Sequence, residues 1–396
     1  MSRLFSFSER TNWELGENPL AQALTELRSS GAEIFDLTES NPTRCGFSYP
    51  PEMFLSPLAS TDNLFYAPHP KGMLRARQAI SDYYAARRAS VDPERLVLTS
   101  ATSEAYSFLF RMLFEPGDRV LVPAPSYPLF SYLAGLNDVE VDHYPITLRD
   151  GAWAIDTVSL ESSVKTITRA VILVSPNNPT GSCVKTAELA ALNAIASRHG
   201  LSLICDEVFS DYIFGTNPDI CPTLAENSGV PTFVLSGLSK ALALPQMKLS
   251  WIAANGPEPI LRQSLDRLEV IADTYLSVNT PVQNACAAWL PGSAAIRDQV
   301  LARVKENFAF LKEAVGSDGK GNVLPVEGGW YAVLRVDLDD PEDEWAVRLL
   351  RERRVYVHPG FYFDFEDEGN IVLSLLPPPE RFREGVQRML AALSGS

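Results

Sequence analysis

Through the middle of the chain, short runs of β-branched and other apolar residues alternate with segments whose apolar residues recur at helical spacing. Such a pattern calls for a mostly parallel sheet covered by helices on both faces. The runs fall at residues 96–99, 120–123, 139–144, 170–174, 202–205, 232–235 and 250–254, which predicts seven strands. Between the first two, Ala105, Phe108, Leu109, Met112 and Leu113 mark one face of a helix over 103–114. The pair Pro116 and Gly117 stops it. A second helix is predicted over 188–199 and a long one over about 258–277. Beyond these the pattern changes: helix, then strands at 330–336 and 371–375, then a terminal helix from Pro379. The expected fold is therefore α/β, with a three-layer large domain around a seven-stranded, mostly parallel sheet and a smaller α+β domain. A chain of 396 residues with 46% hydrophobic residues can supply a core for each.

In open sheets of this kind ligands bind outside the carboxyl ends of the strands. Three chemically informative residues fall there. Lys240 follows the apolar run at 232–235, among small hydroxyl residues. Asp206 closes the run at 202–205. Asn178 lies in Ser175-Pro-Asn-Asn-Pro-Thr-Gly181, just past the run at 170–174. A lone lysine, aspartate or asparagine after a strand is ordinarily a solvated, capping or turn residue. Three such residues converging on one sheet edge point instead to a ligand. A lysine amine becomes a nucleophile when desolvation and a neighbouring cation lower its pKa, and Lys248 stands eight residues on.

The excess of 49 acidic over 34 basic residues, a formal charge of -15, argues against nucleic acid or anionic membranes as partners. Five scattered cysteines without redox or metal-ligand spacing read as reduced thiols, and so as a cytoplasmic protein. Four separated histidines form no ligand pair, and no metal is assigned. No stretch reaches the ~18 apolar residues of a membrane span.

These motifs, together with Tyr66 and Gly72, Ser100-Ala-Thr-Ser-Glu-Ala105, Pro116-Gly-Asp118, Pro123-Ala-Pro-Ser-Tyr127-Pro128 and Asp206-Glu-Val, carry a resemblance over residues 33–390 or so. The chain resembles the fold-type-I pyridoxal-phosphate enzymes, specifically the class I and II aminotransferases related to aspartate aminotransferase. The resemblance implies the domain division 51–288 for the large domain and 289–396 for the small one, with an arm over 1–50 packing on the latter. It implies pyridoxal 5'-phosphate as cofactor and a ping-pong transfer of an amino group from an amino acid to a 2-oxo acid through a Lys240 Schiff base. By the same resemblance Asp206 would hold the ring nitrogen protonated, Asn178 would donate to the ring's phenolic oxygen, and Tyr127 would stack on the ring. The phosphate would lie on Ala101, Thr102 and Ser103, with Ser239 and Lys248 alongside. Tyr66 would reach the phosphate of a neighbouring subunit, which implies a homodimer. A carbon-sulfur β-lyase or a decarboxylase uses the same pocket chemistry, because fate depends on which substrate bond stands perpendicular to the ring. A non-catalytic cofactor-binding module is a third reading, disfavoured by the retained Lys240, Asp206 and Asn178.

Two positions depart from the family. Phe209 stands where a cofactor-binding tyrosine is usual, with Tyr212 as a conceivable substitute. Val372 stands where an arginine for the substrate carboxylate is usual. A valine cannot bind a carboxylate, which leaves Arg44, beside Ser40 in the substrate-proximal loop, or Arg335 as replacements, or else a substrate with no free α-carboxylate.

Overall fold

The computed structural model describes residues 6–292 and 294–393. Its large sheet has eight strands in the order Leu96–Thr99, Ser250–Asn255, Thr232–Gly237, Ser202–Asp206, Thr168–Val174, Arg119–Ala124, Glu140–Arg149 and Ala152–Ile155. Ser250–Asn255 and Ala152–Ile155 run against the other six. The central strands are apolar on both sides, as a doubly covered sheet requires. Leu173, Leu203, Cys205 and Val234 enter one core, while Ile172, Ile204, Phe233 and Leu235 enter the other. The thiol of Cys205 is thus packing, on the side its alternation with Asp206 indicates. The helix Thr102–Leu113 places Ala105, Phe108 and Leu109 in the second core, and the helix Thr186–His199 places Leu192, Ile195 and Ala196 in the first.

The eighth strand corrects the expected seven. The apolar run at 139–144 continues as a strand to Arg149, turns at Asp150-Gly151, both with positive φ, and returns as Ala152–Ile155. Asp-Gly is a strong hairpin signal because such turns match the twist of the flanking strands. The returning strand, Ala-Trp-Ala-Ile, was hidden by its brevity.

A second sheet is antiparallel, in the order Asn322–Val323, Tyr331–Arg335, Asn370–Ser374 and His358–Pro359. The helices Ala294–Asp318 and Pro379–Leu393 pack against each other. The amino-terminal segment joins this part of the molecule. Phe35–Asp36 pairs in parallel with Val355–Tyr356. The Ser374 amide donates to the Leu37 carbonyl at 2.7 Å, and its hydroxyl donates to the Glu39 carbonyl at 2.7 Å. These two bonds fasten the loop carrying Ser40 beside the strand Asn370–Ser374. Among the described residues no helix is long and apolar enough to cross a membrane.

Candidate active site

Beyond the carboxyl ends of the central strands lies a cavity of about 270 Å³. Ser40, Ala101, Thr102, Ser103, Tyr127, Asn178, Asp206, Phe209, Ser239 and Lys240 all line it. Residues separated by up to 200 positions meet because most of them lie at or just past the carboxyl ends of strands, while Ser40 is brought in by the loop fastened to Ser374.

Lys240 rides on the one-turn helix Leu238–Ala241, directly after the strand Thr232–Gly237. Gly237 makes that placement possible, since a Cβ there would come within 2.2 Å of the Ser250 hydroxyl on the paired strand. The Tyr212 hydroxyl donates to the Lys240 carbonyl at 2.6 Å, and the Tyr212 ring packs edge-on against Trp330. Tyr212 does not line the cavity, so it is no substitute for a phenol at 209. Tyr212→Phe should leave this carbonyl without its donor and cost about 1–3 kcal/mol. Thermal melting checks this, and an unchanged midpoint would show that the bond carries no stability.

The Lys240 amine sits 5.2 Å from the centroid of Trp330 and 5.8 Å from that of Phe209. Burial lowers its pKa, and the charge of Asp206 offsets part of that effect. Asp206 shows the converse. Burial pushes its carboxyl up to about 6, opposed by the Val208 amide donating at 3.1 Å, by the Tyr106 hydroxyl donating at 3.4 Å and by Lys240. A buried acid and a buried amine, each displaced toward neutrality, thus share one cavity.

Asn178 is buried, and its Oδ1 has no hydrogen-bond partner. Its neighbour explains the arrangement. Asn177 donates to the Pro125 carbonyl and the Thr180 hydroxyl, both at 3.0 Å, and accepts from the Ser126 hydroxyl at 3.3 Å. It thereby ties the turn at 175–181 to the loop carrying Tyr127. Asn178 is left over for the cavity, a polar group whose burial costs free energy until a ligand meets it. Tyr127 is partly buried, edge-on to Phe130 at 5.9 Å.

At the other end, Ala101 is the N-cap of the helix Thr102–Leu113 and supplies no side-chain acceptor. The Thr102 and Ser103 amides therefore stay open toward an anion, where the helix dipole favours one. Glu104 turns away to accept from the Ser100 amide at 2.7 Å and from the Ser277 hydroxyl at 2.6 Å.

Other expected residues lie outside the lining of this cavity. Lys248 is exposed, in the left-handed region after the turn Pro245–Met247. Arg44 is exposed. Tyr66 is 77% exposed and borders a separate depression with His69, Gly72 and Gln283. Arg335 meets Asp367 at 3.6 Å and donates to Asn370 at 3.3 Å, in a groove with His143 and Asp364. Val372 is 1% exposed, paired with Val333 and His358 inside the small sheet. Conversely, Tyr106 and Ser250 line the cavity without having been singled out in the sequence, and Tyr331 joins them from the small sheet. Tyr106 directly follows the motif at 100–105 and Ser250 opens a predicted strand, but neither position by itself marks a side chain that enters a cavity.

The chain matches the family model described as "Aminotransferase class I and II" over residues 42–388. It is 25% identical over 386 residues to the glutamate-pyruvate aminotransferase AlaA of Haemophilus influenzae, covering 95% of this chain and 94% of that protein. It is 26% identical over 380 residues to the alanine aminotransferase of Mycobacterium tuberculosis, covering 94% and 88%. In fold it resembles the alanine aminotransferase from Pyrococcus furiosus, with a TM-score of 0.88, 23% identity and 99% and 100% coverage. The aspartate aminotransferase from Thermus thermophilus with maleate gives a TM-score of 0.84 at 23% identity, over 98% of this chain and 100% of that one.

Proposed function

Since this chain belongs to the class I and II aminotransferases and is a transaminase, we propose that it binds pyridoxal 5'-phosphate in the cavity around Lys240 and moves amino groups from amino acids to 2-oxo acids by a ping-pong cycle. The observation that carries this reading is the convergence of Lys240, Asp206 and Asn178 on one 270 Å³ cavity. The residues present fit the cofactor on three counts. The buried Oδ1 of Asn178 is an orphan, and the amide it belongs to would face the ring's phenolic oxygen. The uncapped amino terminus of Thr102–Leu113, with Ser103 and Ser239, suits a phosphate. Asp206, on the cavity floor, would pair with the ring nitrogen.

When bound, the cofactor supplies an electron sink for the pair left on the substrate's amine-bearing carbon. The chain does the rest. Lys240 would hold the cofactor through its Nζ and would give it up to the substrate amine. The freed Nζ then takes the proton from the substrate's amine-bearing carbon, and its burial-lowered pKa leaves a larger neutral fraction for that work near pH 7. A bound, protonated ring nitrogen would keep Asp206 ionised by pairing with its carboxylate. Tyr127 and Phe209 restrict ring movement and exclude water.

The same reading extends to the assembly and the compartment. Leu64, Phe65 and Tyr66 form an exposed apolar run, which a second copy of the chain would cover, bringing Tyr66 toward the partner's site. Light scattering that returned the mass of a single chain would refute this part. All five cysteines are free, which suits the cytoplasm.

The transfer itself is tested by mixing the loaded protein with an amino acid and then, after removing it, with a 2-oxo acid. The absorbance of the lysine-bound cofactor should fall in the first step and return in the second. Formation of pyruvate and ammonia from cysteine conjugates without any acceptor would favour the lyase instead.

A further inference from the structure

We infer that this pocket also accepts primary amines with no carboxylate on the amine-bearing carbon, aromatic ones above all, an inference that rests on the amino-group transfer proposed above. Among the described residues lining the cavity, Lys240 is the sole cation, and the transfer chemistry occupies it. The remaining polar groups there, apart from the carboxylate of Asp206, are neutral. Thr102, Ser103 and Ser239 cluster at the helix terminus. Ser40, Asn178 and Tyr331 are left for the substrate side, and all three are uncharged.

A charge that acts on that side is an acid. Glu39 precedes Ser40 in the loop fastened to Ser374, and its field reaches the Tyr331 hydroxyl. Arg44 is exposed and outside the lining of the cavity, and Arg303 and Arg335 are committed elsewhere. Arg303 donates to the carbonyls of Cys45 and Leu376, both at 3.1 Å, with its guanidinium 5.0 Å from the Phe47 ring. Arg335 is held by Asp367 and Asn370.

A substrate carboxylate entering here would leave water for neutral donors in the field of Glu39 and Asp206. It gains no charge-assisted, two-point pair, so its desolvation is poorly compensated. Deleting that carboxylate therefore forfeits little. An aromatic or long aliphatic group, by contrast, gains from burial against the Tyr127, Phe130, Leu133, Val208 and Phe209 side of the cavity. A site built to bind a group through buried polar partners rejects the analogue lacking it by about 10⁴-fold. This pocket lacks the partners for such rejection.

The test uses the loaded enzyme under single-turnover conditions, with phenylalanine against 2-phenylethylamine and norleucine against pentylamine. Loss of the lysine-bound cofactor's absorbance gives the rate constant for each donor. Each amine is expected to react within about tenfold of its amino acid, far from the discrimination of a carboxylate-binding site. Glu39→Gln keeps an acceptor for the Asn41 amide, now 2.9 Å from Glu39, and removes the charge. It should shift the preference several-fold toward the amino acids. Amines slower than their amino acids by about 10³-fold or more would overturn the inference and leave the transfer reading standing. No discharge by either class of donor would overturn both.

Discussion

Lys240→Ala is expected to lower amino-group transfer by about 10⁴-fold or more, because in the proposed cycle one side chain would both attach the cofactor and move the substrate proton. The loss should not be one of folding. Lys240 lies on a short helix whose carbonyl is held by Tyr212, and removing a buried amine whose charged form is disfavoured leaves no partner stranded. The variant should still take up pyridoxal phosphate, since the open helix terminus, Asn178 and Asp206 remain. Its absorbance should be that of the free aldehyde. Added methylamine should restore part of the activity by occupying the vacated space with a base. Transfer within tenfold of the parent, measured as oxo-acid formation, would remove Lys240 from the chemistry.

Asp206→Asn is expected to move activity and stability in opposite directions. Activity should fall on the order of 10³-fold, because an amide cannot hold the ring nitrogen protonated. The cofactor-free protein should nevertheless melt higher at pH 7. Burial raises the Asp206 carboxyl from its usual 3.8 to about 6 in the folded chain, so the folded state binds this proton more readily than the unfolded one. Its effect on stability is therefore nil below about pH 4, and stability is lost as pH rises through 6, by roughly 3 kcal/mol in full. Asparagine keeps Oδ1 as acceptor for the Val208 amide and can turn its Nδ2 to donate to the Tyr106 hydroxyl oxygen, without that loss. The stability difference between the two proteins should close as the pH is brought down toward 4. A variant that melts lower than the parent at pH 7 without cofactor would contradict the origin assigned to the shift. Such a site stores free energy that its ligand releases, as functional sites commonly do.

Much of this arrangement was legible because strand periodicity and strand ends are local properties. Residues 202–206 read as a buried strand closing on a carboxylate, and from there Asp206 could only sit at the sheet's carboxyl edge, beside Lys240 and Asn178. The Asp150-Gly151 hairpin was legible too, through its turn chemistry, yet its partner strand is only four residues long with one fully buried side chain, Trp153. Other features were not written locally at all. Tyr106 reaches Asp206 from the second turn of a helix, and Tyr331 enters from the small sheet, so their roles depend on how distant elements pack. Asn177 and Asn178 are indistinguishable by type and position. Only the tertiary contacts of Asn177 with Pro125, Ser126 and Thr180 make it the tether and its neighbour the ligand-facing group. Lys248 and Arg44 were placed by resemblance to family motifs, which registers position along the chain and not the turn that leaves Lys248 exposed. Val372 is the instructive case. Its position in the strand read correctly, while the consequence, a substrate side with an acidic rather than a basic neighbour, required the loop at 37–40 to be seen against Ser374.

The central claim is that the amine of Lys240, and no other, carries the cofactor. Reduction of the loaded protein with borohydride, followed by proteolysis and mass mapping of peptides, reads this directly. The account expects a single reduced pyridoxyl adduct on the peptide containing Lys240, absent when an amino donor has discharged the enzyme first. An adduct on Lys248 or any other lysine, or none at all, would contradict it.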